Sequence, residues 1–221
     1  MKLWKLFLHK KFPCLDLQPE MKEDILHKAG DLFLEFGFKS VTMDHLAQEL
    51  GVSKKTLYGY FKNKSDLVEQ VAYYIRDRIH KEIDEVQIQQ LDPIEEMFEI
   101  KRVVMKRLKN EKSSPQFQFQ KYYPRIYDKM RQSQVCKMEE SISKNIDRGV
   151  KDDYYRKDLH KVFTCKIYIS GMLNLKDEEL FKDSQLTPKE LYEEFLKYHL
   201  RSIVDTKGKQ RLIELEKQQL E

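Results

Sequence analysis

Between Gly51 and Lys64 the chain sets Lys54, Lys55, Lys62 and Lys64 among Thr56, Tyr58, Gly59 and Tyr60, with no carboxylate in the stretch. Lysines meet phosphate oxygens as point charges, hydroxyls donate to phosphates or base edges, and a glycine lets a backbone approach closely. The chemistry on offer is recognition of a polyanion. Other chemistries find no comparable footing. The six histidines (His9, His27, His45, His80, His160 and His199) form no HExxH and no i, i+4 pair, which predicts no metal site. A glycine-rich phosphate loop and a nucleophile elbow are both missing, which predicts no cofactor and no catalytic site. Glu95 with Glu96 reads as first-turn charge at a helix start, and Asp152 with Asp153 as a polar turn.

The net charge of +4 over 221 residues is mild, so the local patch matters more than the total. An apolar fraction of 40% predicts a folded chain. Cys14, Cys136 and Cys165 are widely spaced with no CxxC, the pattern of free thiols in a reducing compartment, hence a cytoplasmic expectation. The opening MKLWKLFLHKKF is too interrupted by charge for a signal peptide, and no run reaches the length of a membrane helix, which predicts no integral membrane association.

Periodicity predicts an all-α chain. Ile25, Ala29, Leu32, Phe33 and Phe36 recur at helical spacing up to a stop at Gly37. Thr42 caps a second helix that Gly51 ends after about two turns, and Ser53 caps a third carrying Thr56, Leu57, Tyr60 and Phe61. Helices this short need a third behind them. The order long helix, short helix, glycine turn, short helix is that of a helix-turn-helix whose last member enters a major groove. Asn63 caps a long helix through Ile83, and Asp92 with Pro93 starts another. Pro124 opens one that Gly149 is expected to stop. Asp158 is the expected cap of a helix through Val162 to Met172, and Thr187, Pro188 and Glu190 open one to Ile203. The expected organisation is an N-terminal extension at 1–20, a helix-turn-helix DNA-binding domain at 21–66, a separate helical bundle at 67–205, and a tail at 206–221 with little apolar area to bury.

The stretch from Phe33 to Leu67 resembles the DNA-binding domain of the TetR family of bacterial transcriptional regulators. Phe36, Gly37, Thr42, Leu46, Ala47, the string GVSKKTLYGYF at 51–61, Lys64 and Leu67 carry the resemblance. It implies base-facing roles for Lys54, Lys55, Thr56 and Tyr58, and phosphate contacts for Thr42, Tyr58, Tyr60 and Lys64, with Gly59 permitting close approach. Lys55 departs from the small residue or proline common in relatives. The resemblance further implies a TetR-like regulator, most often a repressor, that dimerises through its last two major helices, binds a palindromic operator in double-stranded DNA, and responds to a small-molecule effector.

Aromatic and methionine side chains concentrate in the central helices. Phe117, Phe119, Tyr122, Tyr123, Tyr127, Phe163, Tyr168 and Met172 are the expected lining of an effector cavity, with packing or a dimer face as the alternative use of each. Lys121 and Arg125 beside them suggest an anionic effector, or simply a solvated edge. Leu159–Leu175 and Leu191–Val204 are apolar on more than one flank, as a helix is when it serves both a core and a second subunit. From the residues alone two other readings stay open: a non-catalytic module binding protein or nucleic acid without sequence specificity, and an enzyme sited in the bundle.

Overall fold

A computed structural model of the chain describes residues 19–107, 113–175 and 178–218, and every regular element among them is a helix. Cys14 and the expected extension up to residue 18 lie outside the described residues. Pro19 and Glu20 do not belong to an extension: they open α1 (Pro19–Phe36), where proline's missing N–H has no intrahelical partner to lose. Gly37 ends α1 with φ +81°, a conformation that strains any side chain with a Cβ.

Three caps then set the next helices. Thr42 Oγ1 accepts from the His45 N–H at 3.0 Å to start α2 (Met43–Leu50), and Ser53 Oγ accepts from Thr56 N–H at 3.0 Å to start α3 (Lys54–Tyr60). Asn63 Oδ1 accepts from Asp66 N–H at 3.0 Å to start α4 (Lys64–Ile88). Between α2 and α3, Gly51 adopts φ +65° and Val52 N–H reaches back to the Ala47 carbonyl at 3.0 Å, a tight left-handed helix end. These helices share one core in which Ile25, Phe33, Leu46, Leu57, Phe61 and Val68 are essentially inaccessible to water. Each such side chain stabilises the fold by about 1.5–3 kcal/mol relative to exposure.

A second core forms among α5 (Pro93–Arg107), α7 (Pro124–Lys151), α8 (Lys161–Asn174), α10 (Pro188–Ile203) and α11 (Thr206–Gln218). Two shorter helices complete the chain, α6 (Ser113–Tyr122) and the four-residue α9 (Glu178–Phe181). The α10 start is a full capping box: Thr187 Oγ1 accepts from Glu190 N–H, and Glu190 Oε2 accepts from Thr187 N–H at 2.7 Å. A polar knot is buried at the α5–α7 crossing. Asn145 Nδ2 donates to the Pro93 carbonyl and to Glu96 Oε1, both at 2.8 Å. Arg148 donates to Glu96 Oε2 at 2.7 Å, and the Tyr155 hydroxyl donates to Asn145 Oδ1 at 2.8 Å. With every oxygen of Glu96 accepting, a buried carboxylate is tolerated.

Three local expectations are corrected. Gly149 does not stop α7, which continues to Lys151; it is buried because the Tyr155 ring lies where a Cβ would be, so its small size serves close packing rather than a turn. The α8 cap is His160, whose Nδ1 accepts from Phe163 N–H at 3.2 Å, and not Asp158. Residues 206–218 are no loose tail. Leu212 and Leu215 are buried in the second core, while Arg211 donates to Asp92 at 2.7 Å and to Glu95 at 2.8 Å, tying α11 to the start of α5. Two leucines at i, i+3 with one bidentate arginine were enough to dock a helix that looked polar in sequence.

His199, on α10, is buried against Tyr168 (ring centroids 4.7 Å apart) with no hydrogen-bond partner for Nε2. Burial pushes its imidazole down to about 4. A folded value below the unfolded one means full stability above about pH 6.5 and a loss as pH falls from there towards 4. The protein is expected to lose about 2 kcal/mol more stability between pH 7 and pH 5 than a His199→Phe variant, measured by urea denaturation at both pH values.

Candidate nucleic-acid interface and bundle cavity

The α2–α3 unit presents Thr42, Lys54, Lys55, Tyr58 and Gly59 exposed, with Thr56, Tyr60 and Lys64 half-buried. Their environments differ. Lys54 Nζ donates to the Asp44 carboxylate at 2.9 Å, and that hydrogen bond raises the lysine above its ordinary value. The pair lies on the surface, where such bridges contribute little, so Lys54 is free to exchange Asp44 for another acceptor. Lys55 makes no ion pair with any described residue. Thr56 Oγ1 lies 2.8 Å from Ser53 Oγ, inside the α3 cap, so its hydroxyl is partly committed to local structure. Lys64 Nζ donates to the Lys39 carbonyl at 3.3 Å, and burial pushes it down. Tyr60 packs its ring on the first core beside Phe61. The arrangement offers hydroxyls, backbone N–H groups at helix starts and cations on one small unit. Asp44 and Lys39, which set the positions of Lys54 and Lys64, escaped sequence reasoning because one is acidic and the other acts through its carbonyl.

A cavity of about 410 Å³ opens where α4, α5 and α7 diverge, within the usual range of about 300–1,000 Å³ for small-molecule sites. Of the aromatic and methionine side chains expected to line it, Phe119, Tyr127, Tyr168 and Met172 do so. Phe117, Tyr122, Tyr123 and Phe163 do not. Phe117 and Phe163 are 63% and 65% exposed, Tyr122 is exposed, and Tyr123 packs on Phe38 with its centroid 6.0 Å away. The reason is helical geometry: residues two apart, such as Phe117 and Phe119, project to opposite sides, so both cannot face one cavity. Lys121 instead lies over the Phe117 ring, and neither it nor Arg125 reaches the cavity. Sequence reasoning missed the walls from α1 and α4. Ile75, Ile79 and Ile83 recur at i, i+4, i+8 along one flank of α4 that runs on past the first core, and that row was the available signal.

The cavity and the first core share a wall. Phe38, in the loop after α1, is stacked between Phe33 (4.9 Å) and Phe119 (4.8 Å), and all three line the cavity. Gln118, beside Phe119 on α6, accepts from the Lys39 N–H at 2.9 Å and closes over Gly37. The loop leading into α2 is thus held in part by α6. Among the described residues no group of three or more His, Cys, Asp or Glu side chains is placed to hold a metal ion, and no helix is long and apolar enough to cross a membrane.

Residues 25–71 match the family described as bacterial regulatory proteins, tetR family. Over 66 residues the chain is 35% identical to the HTH-type transcriptional regulator YhgD of Bacillus subtilis (strain 168), covering 30% of this chain and 35% of that one. Over 56 residues it is 45% identical to an HTH-type transcriptional regulator of Staphylococcus aureus (strain USA300), covering 25% of this chain and 26% of the relative. The matched stretch thus spans about a third and a quarter of these relatives' lengths. In fold, the chain is similar to a TetR-family transcriptional regulator from Agrobacterium tumefaciens, with a TM-score of 0.66 at 16% identity over 85% of this chain and all of that one.

At Gly37 a Cβ would sit 2.6 Å from Gln118 Nε2 in addition to the positive φ. A Gly37→Ala substitution is expected to destabilise the protein by about 1–2 kcal/mol, read as a lower urea midpoint at unchanged slope.

Proposed function

We propose that this chain, whose residues 25–71 match the family described as bacterial regulatory proteins, tetR family, is a sequence-specific, ligand-responsive repressor of that family that acts as a homodimer on a palindromic operator. The observation that carries the ligand-responsive part is the shared wall of Phe33, Phe38 and Phe119, through which an occupant of the cavity presses on the loop that holds α2. Lys54, Lys55, Thr56 and Tyr58 are the candidates for base edges, and Thr42, Tyr58, Tyr60 and Lys64 for phosphates, with Gly59 allowing the backbone in. In this reading residues 21–66 are the reading head and the helices beyond them regulate it. The boundary falls inside α4, whose first turns belong to the first core and whose later turns wall the cavity.

A second copy is the proposed cover for the outer face of α8 and α10. Val162, Phe163 and Ile167 stand exposed on α8, and Tyr198 on α10 is 72% exposed. These two helices pack on each other through Tyr168 and Phe195 (5.7 Å), so their exposed side chains form a patch suited to an isologous contact. Two-fold symmetry would set two reading helices about 34–36 Å apart, one turn of duplex. Ligand-driven displacement of the heads would spoil that spacing and release the operator.

The test is selection of genomic DNA fragments by the full chain, followed by salt-titrated affinity for the recovered site and a scrambled control. The expected result is a palindromic site with a large advantage over the control. Equal, strongly salt-dependent binding to all DNA would instead mark a module without sequence preference. On the recovered site, Lys54→Ala is expected to change the preferred base at one position, worth about 1–3 kcal/mol of discrimination. Tyr60→Phe is expected to weaken all sequences alike. Phe163→Glu, on the α8 face, is expected to give a monomer by analytical ultracentrifugation and to lower operator affinity at least about tenfold.

A further inference from the structure

The cavity's polar lining is one-sided. Among the described residues it is faced by five basic side chains, Arg76, His80, Lys101, Arg131 and Lys137, and by no carboxylate. Three of these have partners directed away from the cavity's lining set: Arg76 with Asp77 (2.6 Å), Lys101 with Glu193 (3.4 Å), and Lys137 with Asp84. Arg131 and His80 form no ion pair with any described residue. Burial, then Lys137 and Arg76, push the His80 imidazole down against the opposing pull of Asp77 and Asp84.

A second, independent feature lies deeper on the same helix. Ser141 is 5% exposed and lines the cavity, yet its Oγ has no hydrogen-bond partner. A buried hydroxyl left unpaired is costly, and a helix-interior serine usually turns to the carbonyl four residues back. Arg131, Gln134, Lys137 and Ser141 follow one another at three- and four-residue spacing, which puts them in a row along one face of α7. Arg131 and Gln134 are exposed, so the row runs from solvent into the interior. The walls from the other helices are largely apolar, with Phe33, Ile75, Ile79, Met97 and Met172.

We infer that the cavity takes an amphipathic anion, an apolar body with one oxyanion group, whose charged end is held at the α4–α7 seam by Arg131, at the solvent end of the polar row, with His80 as a further N–H donor. The inference rests on reading the bundle as the effector-binding part, and narrows that reading to a class of ligand. A neutral lipid-like molecule would leave Arg131 without a counter-charge, and a cationic drug would meet Arg131 in a lining that contains no carboxylate.

The probe series is dodecanoate, dodecan-1-ol and dodecyltrimethylammonium, titrated calorimetrically into the full chain below their micelle-forming concentrations. Dodecanoate is expected to bind at least about tenfold more tightly than the alcohol, and the ammonium most weakly. Arg131→Gln, at an exposed position, is expected to remove most of that preference while leaving the alcohol within about twofold. Equal or tighter binding of the alcohol or the ammonium, no binding of dodecanoate, or a preference untouched by Arg131→Gln would overturn the inference. Operator affinity, measured separately by anisotropy on the selected site, distinguishes the two readings: dodecanoate binding that leaves operator affinity unchanged keeps the ligand class and removes the effector role.

Discussion

Helices α2 and α3, of eight and seven residues, are too short to persist alone, since nucleation costs more than their few hydrogen bonds return. They exist because Leu46, Leu57 and Phe61 are buried against α1 and α4. Everything the N-terminal unit offers to a polyanion depends on that burial. The caps at Thr42, Ser53 and Asn63 set where each helix starts, but the shared core holds their outward side chains in fixed relation.

The same requirement makes the unit a poor candidate for independence. Its supporting helix α4 continues for several turns beyond the first core and becomes a wall of the cavity. Phe38 then stacks on Phe119 from α6, so the loop before α2 is built partly from a bundle side chain. Packed interiors do not deform continuously. Under the proposed function, an occupant of the cavity would be met either by repacking around Phe33, Phe38 and Phe119 or by a shift of the unit they support, which would couple the two sites.

Charge is handled in two ways. On the surface, Lys54 with Asp44 and Lys166 with Glu139 are exchangeable pairs that orient side chains at little energetic consequence. In the interior, Glu96 is fully answered by Asn145 and Arg148, and the network locks the α5–α7 crossing where the second core begins. The cavity between these regimes has neither arrangement: its Arg131 is unpaired among the described residues and its Ser141 hydroxyl is unsatisfied. That contrast is what the proposed ligand site rests on.

Local chemistry was legible in sequence because its determinants are local. Caps are read from Thr42, Ser53, Asn63 and Thr187, stops from Gly37 and Gly51, and helix faces from apolar spacing; each depends on residues within one turn. From these the all-helical class, the helix-turn-helix and its exposed lysines all follow. Contacts between distant segments were not legible. Gly149 carries the same letter as a helix stop, yet the Tyr155 ring makes it a packing position. Phe117 and Phe119 are equally aromatic, but only the orientation of α6 turns one inward. Leu212 and Leu215 looked insufficient until Arg211 met Asp92 and Glu95 more than a hundred residues away. Composition names the side chains available for a cavity, whereas the crossing of helices selects which of them face it, because burial is a property of pairs of surfaces and a single segment does not contain its partner.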